Sequence, residues 1–231
     1  MGEGGGVGGE GVGAVVRRGN SGRRESDISE GTGEVWATKD AQTGEDMVDL
    51  IADQAGKKGT GRWTVIEAVR MGQVAGIIEA AVGARVMSAQ KSTRERAARL
   101  LVPAGTDTMI PVSEHDLQSA LIVGRILSYA QGFEILAAGS TEFNWSLDFA
   151  RIAEIWRAGC IIRSTMLDDI ATTFRSQRPA GHLALSDHFI PMLTTHVAGL
   201  RRVVSAAALQ GLPTPALAAA LRSFDMIRQE R

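Results

Sequence analysis

The chain has 231 residues, enough for one large or two small domains, and 44% of them are hydrophobic, so a sizeable core can be buried. Its 25 basic and 26 acidic residues give a net charge of −1, which argues against a general binder of nucleic acid or membrane surfaces. The single cysteine, Cys160, excludes an internal disulfide and suits a reducing compartment, so we expect a cytoplasmic protein. The four histidines lie far apart in sequence and no metal-binding motif is present, so we expect no metal site.

The first 33 residues are rich in glycine and poor in large apolar side chains. Such a segment buries too little apolar surface to offset its backbone entropy, so we predict that residues 1–33 are disordered and that one helical domain covers residues 34–231. Gly4, Gly6 and Gly9 match the spacing of a dinucleotide-binding motif, but no strand precedes them and we assign them no ligand.

From Glu45 onward apolar residues recur at helical spacing, and alternation typical of strands is nowhere sustained. The pattern therefore predicts an all-α fold with many helices. The first predicted helix runs from Glu45 to a stop at Gly56, and a short second one passes through Trp63 and ends near Gly72. A longer helix from Val74 to about Leu101 has a buried first half, and the next one starts at a capping box of Ser113 and Asp116. Four more helices are predicted at 147–157, 161–174, 188–209 and 215–228.

The stretch from Ala55 to Thr64, AGKKGTGRWT, joins the first two predicted helices and combines three glycines, three cations and two hydroxyls. Glycines let a ligand approach the main chain, and Lys58 and Thr60 would offer a cationic and a neutral donor next to the free N–H groups of a helix start. This is the chemistry of a site for phosphate or carboxylate. The alternative is a glycine-rich connector with solvated lysines. The stretch is not a P-loop, because the required spacing and the preceding strand are both missing.

Several stretches of the chain together resemble one family. They are AGKKGTGRWT at 55–64, ARVMS at 84–88, ILSYAQGF at 126–133, IWRAGCIIRS at 155–164, GLPTP at 211–215 and FD at 224–225. In this order they are similar to the C-terminal helical domain of 6-phosphogluconate dehydrogenase, the decarboxylating enzyme of the pentose phosphate pathway. The resemblance covers roughly residues 40 to 231, with a weaker echo at 26–39.

The resemblance implies that Lys58 and Thr60 bind the phosphate of 6-phosphogluconate, and that Arg85 binds it from the following helix. An arginine among small apolar residues is costly to bury unless it is paired, and a bound phosphate would supply the partner. The alternative for Arg85 is a helix-end arginine that reaches solvent along its own stem. The resemblance also implies NADP as cofactor and a homodimer built by the helical domain. From the charge balance we expect no nucleic-acid or membrane partner.

Other residues of these motifs favour structural roles. Cys160 lies in an apolar context that is typical of a core cysteine. We expect Arg157 and Arg163 to form structural ion pairs or to cap carbonyl groups, and Tyr129 and Gln131 to pack inside the domain.

The sequence also departs from the family pattern. Nothing in it matches the NADP-binding Rossmann domain of the family, the segment with the catalytic lysine and glutamate, or the tail that enters the partner subunit. The matched region is thus a core piece truncated at both ends, no catalytic residue can be named, and we expect the chain alone to be inactive.

Three interpretations follow from the resemblance and its gaps. The first is a part of an NADP-dependent enzyme that oxidatively decarboxylates 6-phosphogluconate to ribulose 5-phosphate, with this chain contributing phosphate binding and dimerisation. The second is a non-catalytic helical fragment for dimerisation and anion binding that lacks the cofactor domain. The third is an incomplete gene sequence of a full enzyme.

Overall fold

A computed structural model describes residues 13, 14, 16–18, 20, 26–56, 59–101, 110–157, 160–176 and 182–230, and most of these residues are in helices. Extended pairing within these ranges is limited to two isolated bridges, Ser26 with Ser164 and Lys39 with Asp46. The prediction of an all-α fold is confirmed.

The chain divides into two compact units, the first formed by Met1–Ala52 with Ala150–Thr172 and the second by Asp53–Phe149 with Thr173–Arg231. The helices are α1 (Asp27–Ala37), α2 (Met47–Leu50), α3 (Thr60–Arg70), α4 (Gly76–Ser88), α5 (Lys91–Leu100), α6 (Glu114–Glu142), α7 (Phe149–Trp156), α8 (Met166–Ser176), a 3-10 turn (Leu183–Leu185), α9 (Phe189–Leu209) and α10 (Pro215–Ile227).

Helix α6 is the centre of the second unit. Its 29 residues pack against α9 and α10, and Val123, Ile126 and Leu127 are almost fully buried. Each large apolar side chain buried in this way contributes about 1.5–3 kcal/mol relative to an exposed one. Among the described residues α6 is also the one helix long and apolar enough to span a membrane, but 56% of its most apolar window is buried inside the protein, as in a core helix.

Helices α6 and α9 approach closely because α9 carries a glycine at the contact. A Cβ atom placed on Gly199 would lie 2.5 Å from Ser119 Cβ and 3.3 Å from Asp116 Cα. The start of α6 is fixed by the predicted cap, since the Asp116 N–H donates to Ser113 Oγ at 3.1 Å. Asp116 also accepts hydrogen bonds from Arg202 of α9, at 3.0 Å from Nε and 2.6 Å from Nη2.

Three aromatic side chains of the second unit pack against one another. The Phe133 ring lies 4.9 Å from the Phe174 ring and 6.2 Å from the Phe149 ring, centroid to centroid, and Phe149 lies 5.4 Å from Phe174. These tilted and edge-on arrangements are favourable for aromatic pairs. Gln131 is buried as predicted, and Tyr129 is partly buried.

Two arginines form ion pairs within the first unit, one with the start of α1 and one with α8. Arg163 Nη2 lies 3.1 Å from Asp27 and 2.9 Å from Glu30, and the Arg163 carbonyl accepts from the Asp27 N–H at 3.2 Å. Arg157 pairs with Asp168. The structural roles predicted for both arginines agree with these contacts, whereas Cys160 is only partly buried and is not a core residue.

Three predicted helices differ from the observed ones. The helix from Glu45 to Gly56 is a single turn, α2, because the chain is already extended at Ile51 (φ −73°, ψ 130°). The helix from Val74 to Leu101 is two helices, α4 and α5, with a break at Ala89 and Gln90, and its first half is largely exposed beyond Ile77. The helix expected from Ile161 begins only at Met166.

Helix α1 lies where no helix was predicted. Ser26 caps it by accepting a hydrogen bond from the Ser29 N–H at 3.3 Å. The predicted boundary between a disordered segment at 1–33 and a helical domain at 34–231 falls inside α1, so helical structure begins earlier than predicted. Most of residues 1–25 lie outside the described residues, and their disorder stays a prediction.

The Gly199 contact predicts a stability effect. Gly199→Ala should lower the free energy of unfolding by about 1–3 kcal/mol, because the new Cβ atom overpacks the α6–α9 contact. Gly132→Ala in α6 is the matched control, since its Cβ would meet nothing within 4 Å and alanine is the better helix former by about 0.5–1 kcal/mol. Urea unfolding measures both, and equal effects of the two substitutions would contradict the close approach.

The pair of Asp116 and Arg202 predicts a pH dependence. Hydrogen bonds from Arg202 and then from Ser113 lower the pKa of Asp116 from 3.8 to about 2. A carboxyl group whose pKa falls on folding stabilises the protein above its unfolded pKa, and this contribution is lost as the pH falls from about 4 to about 2. Arg202→Gln should therefore reduce the loss of unfolding free energy between pH 5 and pH 2.5.

Urea unfolding at the two pH values is the measurement. Arg222→Gln is the control, because Arg222 is exposed on α10 and forms no ion pair among the residues described. If the free energy of unfolding falls as much between pH 5 and pH 2.5 in Arg202→Gln as in the wild type, the pKa of Asp116 does not depend on Arg202.

Candidate functional site

A groove of about 650 Å³ lies between the start of α3 and one face of α4 in the second unit. We call it the α3–α4 groove. Its lining residues are Gly59, Thr60, Gly61 and Arg62 at the start of α3, and Ile78, Ala81, Val82, Arg85 and Val86 on α4. It combines an apolar floor with two guanidinium groups and one hydroxyl.

The start of α3 lines the groove. Gly59 occupies the N-cap position and has no side chain with which to cap the helix. The first N–H groups of an α-helix have no partner within the helix, and they carry the positive end of the helix dipole. An eleven-residue helix that opens on a groove in this way offers a site for an anion.

Gly61 serves the packing of α3 against α4. It lies inside α3, and a Cβ atom placed on it would come within 2.9 Å of Val82 Cγ2 on α4. A glycine at this point therefore lets α3 approach α4 closely, and this approach forms the floor of the groove.

Arg85 reaches the groove from the last turns of α4. Its Nη2 atom donates a hydrogen bond to the carbonyl oxygen of Gly56 at 2.6 Å. Arg85 is exposed, so the premise of a buried arginine that needs an anion is wrong. A guanidinium group has five N–H donors, and one bond to Gly56 leaves others for a ligand.

The structure brings together two of the three predicted site residues. Thr60 is the first residue of α3 and is exposed beside Arg85 in the groove. Lys58, together with Lys57, lies outside the described residues. Arg62 was not predicted, although its place in the first turn of a helix behind Thr60 could have indicated it.

The lining of the groove favours binding over proton transfer. The nine lining residues include no aspartate, glutamate, histidine, cysteine, tyrosine or lysine, so they supply no general base. Arginine stays ionised at physiological pH and binds phosphate or carboxylate in a forked geometry. The arrangement is suited to a ligand that carries a phosphate group and an uncharged part for the apolar floor.

A second, smaller cavity of about 160 Å³ lies in the first unit between the starts of α1 and α8. Its two arginines, Arg157 and Arg163, are already neutralised by Asp168 and by Asp27 with Glu30. It is therefore a weaker candidate for an anion. Among the described residues no three side chains of the metal-binding types come together.

Comparisons with known proteins agree on one family. The family described as 6-phosphogluconate dehydrogenase, C-terminal domain, matches residues 1–231. The chain is 38% identical over 215 residues to the NADP(+)-dependent, decarboxylating 6-phosphogluconate dehydrogenase of Bacillus subtilis, covering 90% of the chain and 45% of that relative. It is 35% identical over 236 residues to the chloroplastic decarboxylating enzyme 1 of Arabidopsis thaliana, covering 98% of the chain and 48% of that relative.

A solved structure gives the same result. The 6-phosphogluconate dehydrogenase of Plasmodium falciparum, described in its apo form and in complexes with its cofactor NADP+ and its substrate 6-phosphogluconate, superposes with a TM-score of 0.91 at 34% identity. The match covers 96% of this chain and 49% of that one. The chain thus spans about half the length of the relatives that it matches.

Proposed function

The chain belongs to the 6-phosphogluconate dehydrogenase family and corresponds to its C-terminal domain, and we propose that it contributes substrate-phosphate binding and dimerisation to an NADP-dependent enzyme. This enzyme oxidatively decarboxylates 6-phosphogluconate to ribulose 5-phosphate. The observation that carries the proposal is the α3–α4 groove, which Thr60 and Arg62 at the start of α3 line together with Arg85 of α4.

The chemistry of the groove suits the phosphate end of this substrate. A phosphate ester carries nearly two negative charges and three acceptor oxygens, and Arg62 and Arg85 offer forked donors to them. The Thr60 hydroxyl and the N–H groups at the start of α3 add neutral donors. We also assign Lys58 to this site, since it follows Gly56 by two residues and precedes Thr60 by two.

The proposed role of this chain is to hold the substrate, while NADP+ would accept the hydride from the substrate. We assign none of the described residues to the cofactor and none to proton transfer, because the groove lining has no titratable base. Exact placement of the substrate is itself a large part of catalysis, since a bound phosphate fixes the reacting carbon in one position.

We further propose that two copies of the chain associate. Large apolar side chains remain exposed on α3 and on the start of α6, with Val69 72% and Trp63 59% exposed and Leu117 and Leu121 nearly half exposed. Apolar surface of this kind commonly marks a protein interface. We propose no nucleic-acid or membrane partner, and a cytoplasmic location that fits the single thiol.

The association predicts a measurable mass. Sedimentation equilibrium of the purified chain at tens of micromolar should give the mass of two chains, because burying these side chains against a second copy removes them from water. A monomer that stays soluble across this concentration range would contradict the homodimer.

The groove predicts a substrate affinity that depends on Arg85. Calorimetric titration with 6-phosphogluconate should show binding, and Arg85→Ala should weaken it about 10- to 100-fold, as expected when a charged hydrogen bond of about 1.5–3 kcal/mol is lost. The affinity should also fall with added salt, because exposed charges are screened beyond about 8 Å at physiological ionic strength.

Two comparisons make this test specific. Gluconate, which lacks the phosphate, should bind much more weakly than 6-phosphogluconate and should not respond to Arg85→Ala. Arg99→Ala removes an equivalent charge from an exposed position on α5 outside the groove lining and should leave the affinity unchanged. Equal affinity for both ligands would contradict a phosphate site in the groove. An assay of NADP reduction on the same sample checks the expectation that the chain alone is inactive.

A further inference from the structure

Residues Asp53–Gly56, which we call the junction segment, are each hydrogen-bonded to α4, to its C-cap residue Ala89 or to Arg94 of α5. The segment has no regular secondary structure and is largely exposed. Gln54 Nε2 donates to the Ala89 carbonyl at 3.2 Å, and the Ala55 N–H donates to Ser88 Oγ at 3.0 Å. The Gly56 carbonyl accepts from Arg85 at 2.6 Å. An irregular, solvated segment is thus held at every residue.

Arg94 of α5 makes the first of these attachments. Its Nη1 atom lies 2.8 Å from Asp53 Oδ2, and its Nη2 atom lies 2.6 Å from the Asp53 carbonyl and 3.2 Å from the Ser88 carbonyl. The guanidinium group therefore joins the junction segment to the end of α4. The Arg94 Nε atom is buried and has no acceptor among the residues described. The hydrogen bonds of Nη1 and Nη2 therefore determine the position of the guanidinium group.

The charge of Asp53 supports the same contact. The hydrogen bond from Arg94, and then its positive charge, lower the pKa of the Asp53 carboxyl below its usual range. The carboxylate is consequently ionised at neutral pH and accepts from Arg94 throughout the physiological range.

We propose that Arg94 is a positioning residue for the anion site, because it fixes Asp53 and thereby the Gly56 carbonyl to which the Arg85 guanidinium is bonded. This inference rests on the proposed function of the α3–α4 groove. Arg94 does not line the groove, and it acts on the ligand only through the junction segment and Arg85.

The physical reason lies in the freedom of an exposed arginine. Arg85 sits on the exposed side of α4, and no carboxylate among the described residues pairs with it. Unless its guanidinium is held, the side chain loses its rotamer freedom when the anion binds, and the affinity falls accordingly. A carbonyl fixed by Arg94 orders the guanidinium before the ligand arrives.

A double-mutant cycle on the affinity for 6-phosphogluconate tests this role. Arg94→Ala alone should weaken binding about 3- to 10-fold, the range typical of coupled residues, whereas in the Arg85→Ala background it should have little further effect. Arg94→Lys keeps the charge but cannot bridge Asp53 and Ser88 in the same way, so it should not restore the affinity. Arg96→Ala, an exposed arginine on the same helix, is the matched control and should bind like the wild type.

Amide hydrogen exchange of the unliganded chain provides the second readout. In Arg94→Ala the Ala55 amide should exchange faster, because the segment is released from Ser88, while the amide of Val123 in the core should be unchanged. A general loss of stability would accelerate both amides and would overturn a local positioning role.

The remaining outcomes separate the two proposals. If the wild-type chain does not bind 6-phosphogluconate, the proposed function fails, and the positioning role fails with it. If the wild type binds and Arg94→Ala binds equally well, or if the effects of Arg94→Ala and Arg85→Ala simply add, only the positioning role is overturned.

Discussion

The arrangement of the second unit depends on one buried amide, that of Gln131 in the middle of α6. Its Oε1 atom accepts a hydrogen bond from the Ile77 N–H at 3.0 Å, and its Nε2 atom lies 3.3 Å from Ser223 Oγ on α10. The N-cap residue of α4 makes no side-chain hydrogen bond, so Gln131 satisfies an N–H group that the helix itself leaves open. An amide that is 4% exposed and bonded at both ends fixes the start of α4 on the core.

The site follows from that placement. Helix α4 starts in the core and ends in solvent, so its apolar first turn is anchored while Arg85 near its end remains exposed. Gly61 then lets α3 approach Val82, and the open start of α3 comes to lie beside Arg85. The helical scaffold thus carries the proposed anion site at its edge, where Thr60, Arg62 and Arg85 remain exposed to solvent.

Two of the three incorrectly predicted helices, those at 45–56 and 74–101, differ from the structure for a common reason. The segment from Ile51 to Gly56 has helical periodicity, yet it has no regular secondary structure, and Gln54 and the Ala55 N–H bond to the end of α4 instead. The break at Ala89 and Gln90 is the other half of the same contact, since the carbonyls of Ser88 and Ala89 accept from Arg94 and Gln54 instead of continuing a helix. Asp53, Gln54 and Ala55 bond to residues more than 30 positions away, and such contacts are invisible to a local sequence pattern.

The sequence by itself determined the all-α class, the ends of α3, α9 and α10, the cap of α6 and the family, because these depend on local periodicity, on glycine and proline stops and on motifs read along the chain. It also indicated Thr60 and Arg85 as partners in one site. Only the tertiary structure decided that Arg62 joins them, that Arg85 is exposed and bonded to Gly56, and that α4 and α5 are separate helices. Those facts depend on which helices pack together, and packing is a property of the folded chain as a whole.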